Sequence, residues 1–82
     1  MDYVVLTDTI IKMIVEDVEA VSVREYESTE EDVIHLEVLV AESDLGRVIG
    51  KGGKTIRSIR NIVYAASILN DNKKIKIDVD SY

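Results

Sequence analysis

The chain contains no cysteine, no phenylalanine, no tryptophan and no proline. Without thiols there is no disulfide staple, no thiolate metal site and no cysteine nucleophile, and nothing points to an oxidising compartment. The cytoplasm is the expected location. No apolar run approaches the roughly 20 residues needed to cross a bilayer, and the start Met1-Asp2-Tyr3 lacks the basic region of an export signal. Neither a membrane nor export is indicated. The one histidine, His35, has no second histidine to help it hold a metal, and it falls in an alternating run that reads as the solvated face of a strand. No nucleophile, base and orienting group assemble from these residues, so an enzyme is not expected, nor any cofactor.

What is present is 82 residues, 46% hydrophobic and 32% charged. That balance is too rich in Val, Ile and Leu for a disordered chain, and the length suits one small domain. A chain of this size buries only about 60 to 65% of its unfolded surface, so its core is thin and self-association can add to it.

The charge is uneven. Thirteen acids and two bases lie between Met1 and Asp44, whereas Leu45 to Asn70 carries five bases and no acid. Those bases are Arg47, Lys51, Lys54, Arg57 and Arg60. Because the Debye length at physiological salt is only about 8 Å, a local positive site can act within a chain of net charge −6. A solvated helix face would also account for the run, so charge alone does not decide.

Periodicity predicts a helix from about residue 2 to 16, with Val4, Ile10, Ile11, Ile14 and Val15 at three- and four-residue steps. Alternation predicts strands at about 21–27 and 33–40, joined by the polar link Ser28 to Asp32. A short helix at about 44–49 ends at glycines, and a longer one follows at about 54–69. There Ile56, Ile59, Ile62, Val63, Ala66 and Leu69 are read as one apolar face. Asn70-Asp71-Asn72 is a helix stop, and Ile75, Ile77 and Val79 give a last strand at about 74–79. The fold class is therefore α+β, in the order α-β-β-α-α-β. Parallel pairing of the second and third strands through the helix pair would let all helices cover one sheet face.

The sharpest local feature is Val48-Ile49-Gly50-Lys51-Gly52-Gly53-Lys54-Thr55-Ile56, three glycines and two lysines where one helix stops and another begins. Glycine lets the main chain approach a ligand, and the unpaired N–H groups at a helix start attract anionic oxygens. A flexible connector with incidental lysines is the plainer account of glycines seen in isolation. Gly53-Lys54-Thr55 also ends like the nucleotide-triphosphate loop, but Val48 stands where that pattern needs its first glycine, and a helical turn rather than a strand precedes it. Asp78, the imaginable magnesium carboxylate, alternates to the solvent side. Nucleotide hydrolysis is not expected.

These residues resemble the KH domain, type II, and within it the small bacterial single-KH-domain RNA-binding proteins (KhpA/YlqC-like). The resemblance rests on Ile49-Gly50-Lys51-Gly52-Gly53, the I-G-x-x-G signature, with Ile56 downstream. It extends to Asp44-Leu45-Gly46-Arg47-Val48 and to Ile59-Arg60-Asn61-Ile62-Val63-Tyr64-Ala65-Ala66. The chain departs from such relatives in carrying Gly52, where a longer polar residue is common, and in lacking a proline between the first helix and first strand, which leaves the boundary near Asp17 open.

The resemblance implies a three-stranded mixed sheet with helices packed on one face, and a loop that clamps about four unpaired nucleotides. By position, Gly50, Lys51, Gly52 and Gly53 would contact sugar and phosphate, flanked by Arg47 and Lys54. Arg57, nearly aligned with Lys54 on the helix, is preferred to Arg60. Ile49 and Ile56, with Leu39 of the second strand, are the candidates for contacting bases, although Ile56 also lies in the helix's apolar stripe. None of the four tyrosines is in the loop, so aromatic stacking is not the expected mode. Asn61, Ile62, Tyr64, Ala65 and Ile68 fall at or beyond the edge of the helix's core stripe and form a candidate dimer face, for a second copy or for a second KH-domain protein. The expected function is single-stranded RNA binding, as an RNA chaperone or post-transcriptional regulator, which the resemblance links to cell shape and envelope homeostasis. The rival is a protein-interaction adaptor with a vestigial loop that docks through the acidic stretch Glu25 to Asp32.

Overall fold

The computed structural model describes residues 1–82. Helix α1 (Tyr3–Lys12) is started by the Asp2 carboxylate, which accepts from the amides of Val4 and Val5 at 3.0 and 3.2 Å. Strands β1 (Ser22–Tyr26) and β2 (Val33–Val40) form an antiparallel hairpin. Helices α2 (Glu42–Ile49) and α3 (Lys54–Asp71) then carry the chain to β3 (Lys74–Ser81), which pairs parallel to β2. The sheet order is β1-β2-β3. It is a mixed sheet beneath three helices, the type II KH arrangement.

Alternation along β2 sorts its side chains. Leu36, Val38 and Val40 are fully buried beneath the helices, while His35, Glu37 and Leu39 occupy the other face. Ile11 of α1, Val48 of α2, and Ile56, Ile59 and Val63 of α3 meet them, with Ile75 and Ile77 of β3 closing the layer. Each such aliphatic side chain removed from water is worth about 1.5–3 kcal/mol.

Element ends depart from the sequence-based expectation where a distant group intervenes. The first helix, expected to reach Glu16, stops at Lys12. Beyond it the Asp44 carboxylate of α2 takes the amides of Glu16 and Asp17 at 3.1 and 3.0 Å, holding the chain in a non-helical path. A 3₁₀ turn at Val18–Ala20 follows, which periodicity did not indicate. At the other end α3 runs two residues past the expected stop, to Asp71, because the left-handed residue that ends it is Asn72 (φ 52°). Ser67 Oγ donates to Lys73 O at 2.7 Å and ties that turn to the helix.

Two residues expected in the stripe of α3 are not in the core. Ile62 is 54% and Leu69 84% exposed. At about 100° per residue they lie some 100° and 120° round the helix from Val63, beyond the buried arc.

Candidate functional site

Helix α3 places the glycine loop far from the acidic hairpin. Its 18 residues span about 27 Å, in a body whose longest extent is 35 Å. Its C-terminal end adjoins the hairpin, where Lys74 N donates to Asp32 O at 2.9 Å. Its start carries the loop. The separation is about three Debye lengths, so the carboxylates of Glu27 to Asp32 do not neutralise the loop's cations.

The loop's shape follows from where its glycines sit. Gly50 has φ 77° and ψ 170°, a conformation essentially confined to glycine. A Cβ there would collide with Thr55 Oγ1 and lie 2.8 Å from Thr55 N. Gly52 and Gly53 are left-handed (φ 63° and 78°), yet a Cβ on either would meet open space. Gly50 N donates to Gly46 O at 2.8 Å and Gly53 N to Gly50 O at 3.1 Å, so the main chain folds tightly over the mouth of α3.

Around this mouth the five cations part into different roles. Lys51 and Lys54 are exposed, and neither has an ion-pair partner. Arg57 keeps its charge but reaches back to donate from Nη2 to Gly52 O at 3.1 Å, bracing the loop. Arg60 turns away, donating from Nε and Nη2 to Ile77 O of β3 at 3.0 and 2.8 Å. Arg47 is paired with Glu16 at 3.0 Å. No acid lies in the first turn of α3, and no side chain caps it. Lys54 and Arg57 thus add cationic charge at the positive end of a helix dipole, where an anion is the stabilising occupant.

Two of the expected base-contacting side chains are elsewhere. Ile56, 4% exposed, is core. Leu39 lies on the helix-free face of the sheet, registered with Ser22 and Asp80, because alternation with the buried Val38 and Val40 turns it there. Ile49 is half-buried at the loop's edge and remains in place for such a contact. On α3, Asn61, Ile62, Tyr64, Ala65 and Ile68 are all uncovered, with Tyr64 40% exposed.

Sequence reasoning missed Asp44 and Glu16. Asp44 is 2% exposed, and its two backbone hydrogen bonds, from Glu16 and then Asp17, hold its carboxyl below the ordinary range against the opposing effect of burial. Asp44 opens one of the segments that carry the resemblance, but nothing local marks its role or that of Glu16, since each acts across about thirty positions of chain.

A helix-glycine-loop-helix crossing between two parallel strands of a three-stranded sheet, built over a cationic helix mouth, defines the chain as a KH domain. The family model for the KH domain of KhpA/KhpB matches residues 6–79. The protein belongs to the KhpA/KhpB KH-domain family. Relatives described as RNA-binding protein KhpA include those of Clostridium acetobutylicum, 38% identical, and Clostridium perfringens, 40% identical. Each alignment covers 90% of this chain and 95% of the relative. That of Thermotoga maritima is 36% identical, over 90% of this chain and 93% of the relative. Among solved structures, the fold is similar to Era in complex with MgGDPNP and nucleotides 1506–1542 of 16S ribosomal RNA. The TM-score is 0.73 and the identity 17%, over 96% of this chain but only 29% of that one.

Proposed function

We propose that this protein is a non-catalytic module that binds single-stranded RNA, the Gly50–Gly53 loop lying against sugar and phosphate and Ile49 meeting a base. It acts in the cytoplasm as an RNA chaperone or post-transcriptional regulator, with cell shape and envelope homeostasis as the processes served. The uncovered face of α3 seats a second copy or another KH-domain protein. The observation that carries the reading is the trio Lys51, Lys54 and Arg57 around the start of an 18-residue helix with no acid in its first turn. Each cation so placed opposes the dipole by about 0.3–1 kcal/mol, and a phosphate reverses the sign. The relatives named as RNA-binding proteins support the choice of nucleic acid over a small anion. With no aromatic side chain in the loop, affinity comes from the backbone and is weak and salt-sensitive.

Titration of a labelled single-stranded oligoribonucleotide at low salt tests this. A saturable complex is expected, with a log–log salt slope of about −2 for three phosphates neutralised, and weaker binding to duplex. Lys51→Asp together with Gly52→Asp abolishes binding. The fold survives it, since position 52 is open space and Asp tolerates a left-handed backbone at about 1 kcal/mol. Folded parent protein that forms no saturable complex refutes the proposal, and an unaffected double variant refutes the site.

A further inference from the structure

Arg47 is the one cation near the loop that already has a carboxylate against it, and the carboxylate is presented by a built arrangement. Asp44 and Arg47 share α2, three residues apart and so on one side of the helix. The buried Asp44 grips the amides of Glu16 and Asp17 at 3.1 and 3.0 Å, which fixes the backbone of the α1–β1 connection against α2. Glu16 Oε1 then accepts from Arg47 Nη2 at 3.0 Å. The side chains themselves stay open to solvent, 51% exposed for Arg47 and 77% for Glu16. A phosphate arriving beside the loop therefore finds Arg47 reachable but occupied.

The geometry points to Glu16 as a built-in competitor for the phosphate chain: clamped beside Arg47 through Asp44, it withholds one cation from the strand and so sets how tightly and how salt-sensitively the protein holds it. This inference rests on the RNA-binding reading. Its consequence is that the wild-type site engages the three cations without a carboxylate partner, Lys51, Lys54 and Arg57, and that a fourth is released when Glu16 loses its charge. An exposed ion pair is worth little, which makes it exchangeable rather than a permanent lock.

The test is a titration of the same labelled single-stranded oligoribonucleotide over a range of salt concentrations with Glu16→Gln, Arg47→Gln, the double variant, and Glu19→Gln as a carboxylate outside the clamp. Glu16→Gln is expected to tighten binding about twofold to fivefold. It also steepens the salt slope by about 0.7, the increment for one further phosphate on a single strand. In the Arg47→Gln background the same substitution does no more than Glu19→Gln does, because the coupling runs through Arg47. Asp44 binds only backbone amides of the connection, so Glu16→Gln leaves the fold intact, and circular dichroism checks this. Parent protein that binds while Glu16→Gln matches Glu19→Gln in affinity and slope overturns this inference alone, as does an effect that persists undiminished without Arg47. No binding by parent or variant overturns the RNA-binding reading as well.

Discussion

Substituting alanine in turn at Gly50, Gly52 and Gly53 separates two reasons for a glycine that the sequence presents as equivalent. At positions 52 and 53 the backbone is left-handed but unobstructed. Alanine there meets a conformational cost of about 1–2 kcal/mol, partly offset by about 0.4–1 kcal/mol from a less flexible unfolded chain. The net loss is about 1 kcal/mol. At Gly50 two costs combine. The backbone conformation (φ 77°, ψ 170°) contributes about 1–3 kcal/mol, and the collision with Thr55 forces a shift worth about 1–3 kcal/mol more. After the same unfolded-chain offset Gly50→Ala is expected to lose about 1–5 kcal/mol, centred on about 3, which at the upper end unfolds a chain whose whole stability is about 4–12 kcal/mol. Urea denaturation followed by circular dichroism reads the difference as a midpoint shift at constant slope. Adding Thr55→Ala to Gly50→Ala restores only part of the loss, because Thr55 N, 2.8 Å from the new Cβ, is main chain and stays where it is. If Gly50→Ala melts within about 0.5 kcal/mol of Gly52→Ala, the steric reasoning is wrong, since surface changes free of such features fall in that range.

Thr7 is fully buried on α1 and its hydroxyl has no hydrogen-bond partner; Thr7→Val keeps the shape and is expected to stabilise the fold by about 1–2 kcal/mol in the same urea assay. Asp44 has its folded pKa depressed by the Glu16 and Asp17 amides, so its contribution is present above about pH 4, the unfolded value, and is lost as pH falls through the folded one. Asp44→Asn should lower the melting temperature at neutral pH and flatten the acid limb of the stability curve; an acid limb identical to the parent's would remove the clamp from the account. Sedimentation of Tyr64→Glu beside the parent checks the face of α3, with a lower mass expected for the variant if that face carries the dimer.

Legibility followed the range of the forces involved. Strand β2 is legible to the residue, since Ile34, Leu36, Val38 and Val40 must alternate toward one layer whatever else the chain does. The stop of α3 is legible as a cluster of Asn and Asp, and only the choice of Asn72 as the left-handed residue needed the structure. The end of α1 is not legible, because it is decided by a carboxylate 28 positions downstream that outcompetes a good helical period. The glycine loop is legible as a motif, but its five neighbouring cations look alike in sequence. That Arg60 serves a strand carbonyl, Arg57 the loop's own carbonyl and Arg47 a distant glutamate follows from tertiary placement alone. Ile56 stands both at the loop's edge and in the helix's apolar stripe, and only the packed structure shows that it is 4% exposed and part of the core.

The wide separation of the cationic mouth from the acidic hairpin also governs what happens before any contact is made. The hairpin's carboxylates and the loop's cations, held at opposite ends of α3, turn this elongated body like a weathervane in the field of a polyanion, with the torque tempered by Glu16, Asp17 and Asp44 beside α2 and by Lys74 and Lys76 of β3. The body's anionic tip is pushed outward while its glycine-lined tip swings in, so that collisions arrive already facing the productive way. Added salt shortens the reach of that torque, and capture slows before the finished complex weakens in proportion.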